Sequence, residues 1–197
     1  MEYLNKEFES MKWDIFPEFK LVRISTRMDG NCFFHALAKA YYKPYITGIL
    51  NGEPFDRDAF VTELRKELAE TLPVEYEKLA GGTLKKLGKD VLECRLENMQ
   101  KELRSNEPVS NLYNEFISNA LNLDIYILDG EKKDVYMTGT DDSLLYKNRR
   151  SVVILYLPGH YELVSLVSPS GHALTLFSPK HPFISCIKER MNLLRSE

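Results

Sequence analysis

The spacing of apolar residues changes along the chain and divides it into thirds. In the first third, Leu4, Phe8 and Met11 stand at helical spacing, which predicts a short N-terminal helix. Residues 19–24 alternate loosely, as an edge strand would. The polar turns Ser25-Thr26-Arg27 and Asp29-Gly30-Asn31 then lead into an apolar run over 32–42, a predicted helix that Pro44 stops. The middle third is helical in pattern. Asp56 is placed to cap a helix carrying Phe60, Leu64 and Leu68, which should end before Pro73. Gly81-Gly82 breaks the chain. Val91 or Leu92, Leu96, Met99 and Leu103 stripe a third helix, and Ser110 opens a fourth with Leu112, Phe116, Ala120 and Leu121 inward.

The last third turns to a period of two. Residues 123–128 alternate, Asp129-Gly130 turns the chain into 134–137, and 152–157 is almost continuously apolar, as in a strand buried on both faces. Pro158-Gly159 turns the chain into a strand over 160–167. Residues 173–177 predict a further strand and 183–194 a closing helix. The pattern predicts one α/β or α+β domain over 1–197, a small mixed sheet packed against several helices.

Composition narrows the function classes. With 197 residues, 44% apolar and 28% charged, the chain can bury a core without disulfides or structural metal. A net charge of −3, from 26 basic and 29 acidic residues, argues against a surface that neutralises many phosphates, so no nucleic-acid partner is expected. The N-terminus lacks a basic-then-apolar signal pattern, and 152–157 is far too short to cross a bilayer, so no membrane association is expected. Cys32, Cys94 and Cys186 are an odd, scattered set without a C-x-x-C pair, which favours a reduced, intracellular protein with neither a disulfide framework nor a zinc site.

The chemistry concentrates in Asp29-Gly30-Asn31-Cys32 and in Pro158-Gly159-His160-Tyr161-Glu162. Cys32 opens a predicted helix, whose unpaired amides favour a thiolate and could hold an oxyanion. Gly30 would let the backbone take unusual angles and approach a substrate. Alone, such a cysteine reads as buried and inert. The second block changes that balance. His160 starts a strand on a rigid platform, as a general base requires, and Glu162, two residues on, shares its face and could orient the imidazole.

Together, Asp29-Gly30-Asn31-Cys32 followed by Phe33-Phe34-His35-Ala36, and His160-Tyr161-Glu162 after the apolar strand, resemble the ovarian-tumour (OTU) family of papain-like cysteine deubiquitinases. The blocks bracket about two-thirds of the chain. The resemblance implies an OTU fold with its core over about 15–178, a helical subdomain over about 56–121 and a C-terminal strand and helix extension over about 170–197. It implies Cys32 as nucleophile and His160 as general base. Asp29 would shape an oxyanion loop of Asp29, Gly30, Asn31 and Cys32, and Gly159 and Tyr161 would touch substrate. Glu162 is longer than the family's usual Asn or Asp, which leaves open whether Glu162 or Asp29 orients His160.

The implied reaction is hydrolysis of the isopeptide bond between the ubiquitin C-terminal glycine and a lysine, without metal or organic cofactor. The expected partners are ubiquitin, polyubiquitin chains or another ubiquitin-like modifier, met by a monomer in the cytoplasm. A stand-alone domain of this kind suits a large DNA virus or an intracellular bacterium acting in its host's cytoplasm. The alternatives are a non-catalytic ubiquitin-binding module that keeps the fold and a peptidase of ordinary peptides.

Other residues read as structural. His35, on the helix face of Cys32, reads as packing; His172 and His181 as solvated; Cys94 and Cys186 as structural or exposed. Leu79-Ala80-Gly81-Gly82 echoes a ubiquitin tail but reads as a turn that ends a helix. The charges over 57–70 and 85–101 read as solvated helix faces.

Overall fold

Seven strands form a mixed sheet whose central members are apolar on both faces. A computed structural model describes residues 8–197. The first elements are β1 (Phe8–Met11), β2 (Leu21–Ile24), α1 (Cys32–Tyr41), α2 (Lys43–Thr47), β3 (Ile49–Leu50) and β4 (Glu53–Pro54). The helical middle comprises α3 (Arg57–Glu75), α4 (Thr83–Leu87), α5 (Leu96–Arg104) and α6 (Asn114–Leu121), joined through short 3₁₀ turns. There follow β5 (Asp124–Asp129), β6 (Asp134–Val135), α7 (Asp142–Leu145), β7 (Ser151–Leu157), β8 (His160–Val167), β9 (Ala173–Leu174) and α8 (Pro182–Ser196).

The sheet order is β1-β2-β8-β7-β5-β6, with β9 paired to β8 past the end of its β7 ladder. Among the described residues, only β5 and β7 run parallel; the other pairs are antiparallel, and β3–β4 is a separate hairpin. Alternate residues of β7 explain its unbroken apolar run. Val152 and Ile154 join the core shared with α1 and α3, while Val153 and Leu155 join the core beneath α8. Helix α1 is buried over most of its circumference, because it lies between the sheet and the helical middle.

Several expectations are corrected. Phe8 to Met11 is a strand, because pairing Phe8 with Ile24 and Met11 with Leu21 supplies hydrogen bonds that an isolated short helix could not match; Leu4 lies outside the described residues. That pairing makes β2 an interior strand. Pro44 sits in the first turn of α2, where its missing N–H costs nothing. Asp56 caps α3 through the Ala59 N–H, 3.0 Å, but the helix runs through Pro73. Proline at that position strips the Ala69 carbonyl of its helical donor, and the Gln100 side chain supplies one at 2.9 Å. Val91 and Leu92 are exposed and precede α5, and Ala120 faces outward. His181 is half-buried and caps α8, its Nδ1 accepting from the Phe183 N–H at 3.1 Å.

Leu79-Ala80-Gly81-Gly82 folds into a left-handed turn, with φ of 52°, 64° and 88° at its last three residues. Leu79 is buried and the Ala80 N–H donates to the Glu115 carboxylate, 2.8 Å.

One buried ion pair ties the sheet to the helices. Asp124, at the start of β5, accepts from Arg149 Nε at 2.8 Å and from the Lys147 and Arg149 amides. Arg149 also donates to the Ser118 and Leu145 carbonyls. Removing the carboxylate strands a buried guanidinium, so Asp124→Ala should lower the unfolding free energy in urea by about 3 kcal/mol or more. Arg190→Ala, which breaks a more exposed pair with Asp134, should cost under about 1 kcal/mol. Equal losses in the two variants would contradict this ranking.

Candidate active site

Strand β8 outruns its neighbour. The β2–β8 ladder ends at Ile24 opposite Leu163, leaving the Tyr161 N–H and C=O beyond it without a strand partner. Two residues after β2 fill that edge. The Thr26 hydroxyl donates to the Tyr161 carbonyl at 2.6 Å, and the Tyr161 N–H donates to Cys32 Sγ at 3.4 Å. Strand amides lie in the plane of their sheet, so the sulfur sits beside β8 where β2 would have continued. The two sequence blocks therefore meet: the thiol lies against the His160–Tyr161 peptide.

Side chains alternate across that strand. Tyr161 packs edge-on against Phe33 of α1, centroids 5.2 Å apart. His160 and Glu162 project from the other face, the side on which Arg23 of β2 lies. Glu162 is buried and its Oε1 is ion-paired with Arg23, which also approaches Glu9 at 3.7 Å. The His160 ring is buried, and its Nδ1 has no hydrogen-bond partner among the described residues. Glu162 thus stands on the expected face but is engaged by Arg23. Gly159 holds φ +70° in the tight β7–β8 connection, a conformation that disfavours side chains and sets the pairing of Leu157 with His160.

The loop before α1 is held from within. Asp29 accepts the Asn31 N–H on its carboxylate at 2.9 Å and the Cys32 N–H on its carbonyl at 3.3 Å. These amides are therefore less free than the sequence suggests. Gly30 is explained differently from expectation: its φ is not left-handed, and a Cβ there would meet the Asn106 carbonyl oxygen at 1.8 Å. The close approach is to the chain's own 106–107 segment.

Cys32 is only 3% exposed, and burial pushes its thiol above its ordinary value, against the lowering pull of the Tyr161 and Phe33 amides. The helix start alone does not make a thiolate. His35 is also buried, its Nδ1 2.6 Å from the Tyr45 hydroxyl, and burial lowers its pKa, which suits a neutral packing residue. Cys94 is buried in a 3₁₀ turn and Cys186 is partly covered on α8; His172 is exposed.

Sequence reading missed three residues at the site: Thr26, Arg23 and Arg65. Arg65 was assigned to a solvated face but is 1% exposed. The buried stripe of α3 is Val61, Arg65, Leu68, Ala69 and Leu72, so Phe60 and Leu64 lie beside the stripe. Arg65 falls at heptad-like spacing within it, a signal the sequence carries. Among the described residues, no group of three or more His, Cys, Asp and Glu side chains could hold a metal ion, and no helix is long and apolar enough to cross a membrane.

No protein-family model and no curated protein sequence matches this chain. Solved structures do. An OTU domain in complex with ubiquitin superposes with a TM-score of 0.58 at 16% identity, covering 98% of this chain and 96% of that one. The Hazara virus OTU bound to ubiquitin gives 0.48 at 17% identity over 84% and 93% of the two chains, and the Farallon virus OTU protease 0.47 at 17% over 83% and 95%. The fold, a mixed sheet clasped by helices, is that of an OTU domain.

Burial of the thiol has a measurable consequence. In a His160→Ala variant, iodoacetamide should alkylate Cys32 with a pH midpoint above that of an unstructured Cys32 peptide, read by peptide mass spectrometry. A midpoint at or below the peptide's would mean that the helix start outweighs burial.

Proposed function

We propose that this protein is a cysteine isopeptidase that cleaves ubiquitin from lysine side chains. The observation that carries the reading is the Tyr161 N–H to Cys32 Sγ contact, which joins a thiol at a helix start to the strand that begins with His160. The ubiquitin complex of a structural neighbour with a TM-score of 0.58 supports the choice of modifier.

His160 takes the proton from Cys32 Sγ, and the sulfur attacks the carbonyl carbon of the modifier's C-terminal glycine. The developing oxyanion is met by amides of the 29–32 loop, where the Cys32 N–H makes a long bond of 3.3 Å to the Asp29 carbonyl. Collapse breaks the C–N bond, and the imidazolium gives its proton to the lysine amine. Water, deprotonated by His160, then attacks the thioester carbonyl; the C–S bond breaks, the imidazolium returns its proton to the thiolate, and the modifier leaves as a carboxylic acid that ionises to solvent. Glu162 keeps Oε1 on Arg23 and turns Oε2 to a ring N–H of His160, orienting the imidazole and balancing the imidazolium. Asp29 shapes the loop through its two internal hydrogen bonds and does not take that orienting role.

Ubiquitin carrying a C-terminal cysteine-reactive group should add one ubiquitin mass to the wild type and none to Cys32→Ala. With a fluorogenic ubiquitin amide, His160→Ala should lose about 10²–10⁴-fold in kcat. Glu162→Gln, which offers the His160 ring an amide that can present the wrong group, should lose at least about tenfold. A folded wild type that binds ubiquitin but resists the probe would identify a non-catalytic binder. Turnover of short peptides alone would identify an ordinary peptidase.

A further inference from the structure

Arg65 is a buried cation, and among the described residues no carboxylate lies at hydrogen-bond distance from it. All five guanidinium N–H groups are nonetheless used, every one on a neutral oxygen. Nε donates to the Leu103 carbonyl at 2.9 Å; Nη2 donates to Glu102 and Glu107 carbonyls at 3.0 and 2.8 Å. Nη1 reaches the loop before α1, donating to Asn31 Oδ1 at 2.6 Å and to the Gly30 carbonyl at 3.4 Å. The guanidinium also lies over the Phe34 ring, 4.8 Å from its centroid. Burying a charge against neutral acceptors is costly, and burial lowers the Arg65 pKa as its largest influence. An apolar residue would fill the helix stripe at less cost but could not bridge these two segments.

What the fork joins is specific. One side is the 102–107 segment, the last turn of α5 and the residues that follow it; the other is the 29–32 loop that carries the nucleophile. Around it, Asn31 Nδ2 donates to Asn106 Oδ1 at 3.2 Å, and Gly30 lies so close to the Asn106 carbonyl that no side chain fits. Both polar ends of the Asn31 side chain are thus committed to the helical middle of the molecule. Lysine could not replace the fork, since its ammonium has three donors and no fixed plane.

Resting on the isopeptidase reading, we propose that Arg65 is a positioning residue for the acyl-transfer step. It clamps the 29–32 loop to the 102–107 segment through Asn31 and so fixes the amides that receive the oxyanion. Arg65 touches no reacting atom and acts through the loop.

The test pairs Arg65→Lys with Asn31→Ala, which removes the Asn31 bonds to Arg65 and Asn106 and leaves the long 3.4 Å bond to the Gly30 carbonyl, while sparing the three carbonyl bonds of Arg65 to 102–107. With a fluorogenic ubiquitin amide, each folded variant should lose about 10–100-fold in kcat with KM within about twofold, and the double variant should be no worse than the poorer single one. Hydrogen exchange should quicken at least about tenfold in peptides spanning 28–34 and stay unchanged in β7. If Arg65→Lys does not fold, Asn31→Ala alone decides. Wild-type kcat in a folded variant, losses confined to KM, or multiplicative losses in the double variant would overturn the clamp. A wild type inert toward ubiquitin substrates would instead overturn the isopeptidase reading. Exchange then still decides the clamp, with unchanged protection of 28–34 overturning it.

Discussion

The Tyr161 amide cannot be left unpaired at the covered edge of β8, and the sulfur of Cys32 is what satisfies it. A thiol is a weak acceptor, so the contact does not hold the molecule together by strength. It works as a gauge of alignment. The bond forms only if β2 stops at Ile24, if Leu157 pairs with His160, and if α1 begins beside the gap. A one-residue slip of β8 would reverse the faces of Tyr161 and His160 and remove the site altogether. Gly159 and the Leu163 ladder positions therefore govern the chemistry without touching it.

That in-plane placement also divides labour between the faces of the sheet. On the α1 face, Tyr161 packs against Phe33, with Tyr156 5.4 Å away, and this aromatic contact seats the tip of the helix. On the opposite face, His160, Glu162 and Arg23 form a polar group above Leu155 and Leu157. In the proposed isopeptidase, a sulfur lying between the faces would receive its base from one side while its helix is anchored from the other. The burial that secures the aromatic side is the same burial that raises the thiol pKa.

Elements whose cause is local were legible in the sequence: the Asp56 cap, the Pro158-Gly159 turn, the doubly apolar 152–157 strand and the helix beginning at Cys32. Those whose cause lies across the fold were not. Phe8 to Met11 carries a helical spacing that only the β2 ladder overrides. Pro73 looks like a helix end until Gln100, from another helix, serves the orphaned Ala69 carbonyl. At the site, residue types and spacing could nominate Cys32, His160 and Glu162, but not Arg23, whose pairing depends on which strand lies beside β8. Arg65 was hidden by charge: a polar letter on an apolar stripe reads as exposure, although the stripe itself runs through it.

The thiol shows how two opposed effects rank. A helix N-terminus stabilises an anion by about 0.3–1 kcal/mol at an exposed position, less than the 1.36 kcal/mol that one pKa unit represents. Burial of an ionisable group can move its pKa by several units. With Cys32 almost wholly covered, desolvation outweighs the amides that approach the sulfur. A lone thiolate is then disfavoured near neutral pH, and a charged sulfur becomes accessible chiefly as a partner to a protonated imidazole. In the proposed isopeptidase, nucleophilicity would belong to the Cys32–His160 pair, so whatever holds β8 against α1 would control reactivity as directly as the cysteine does.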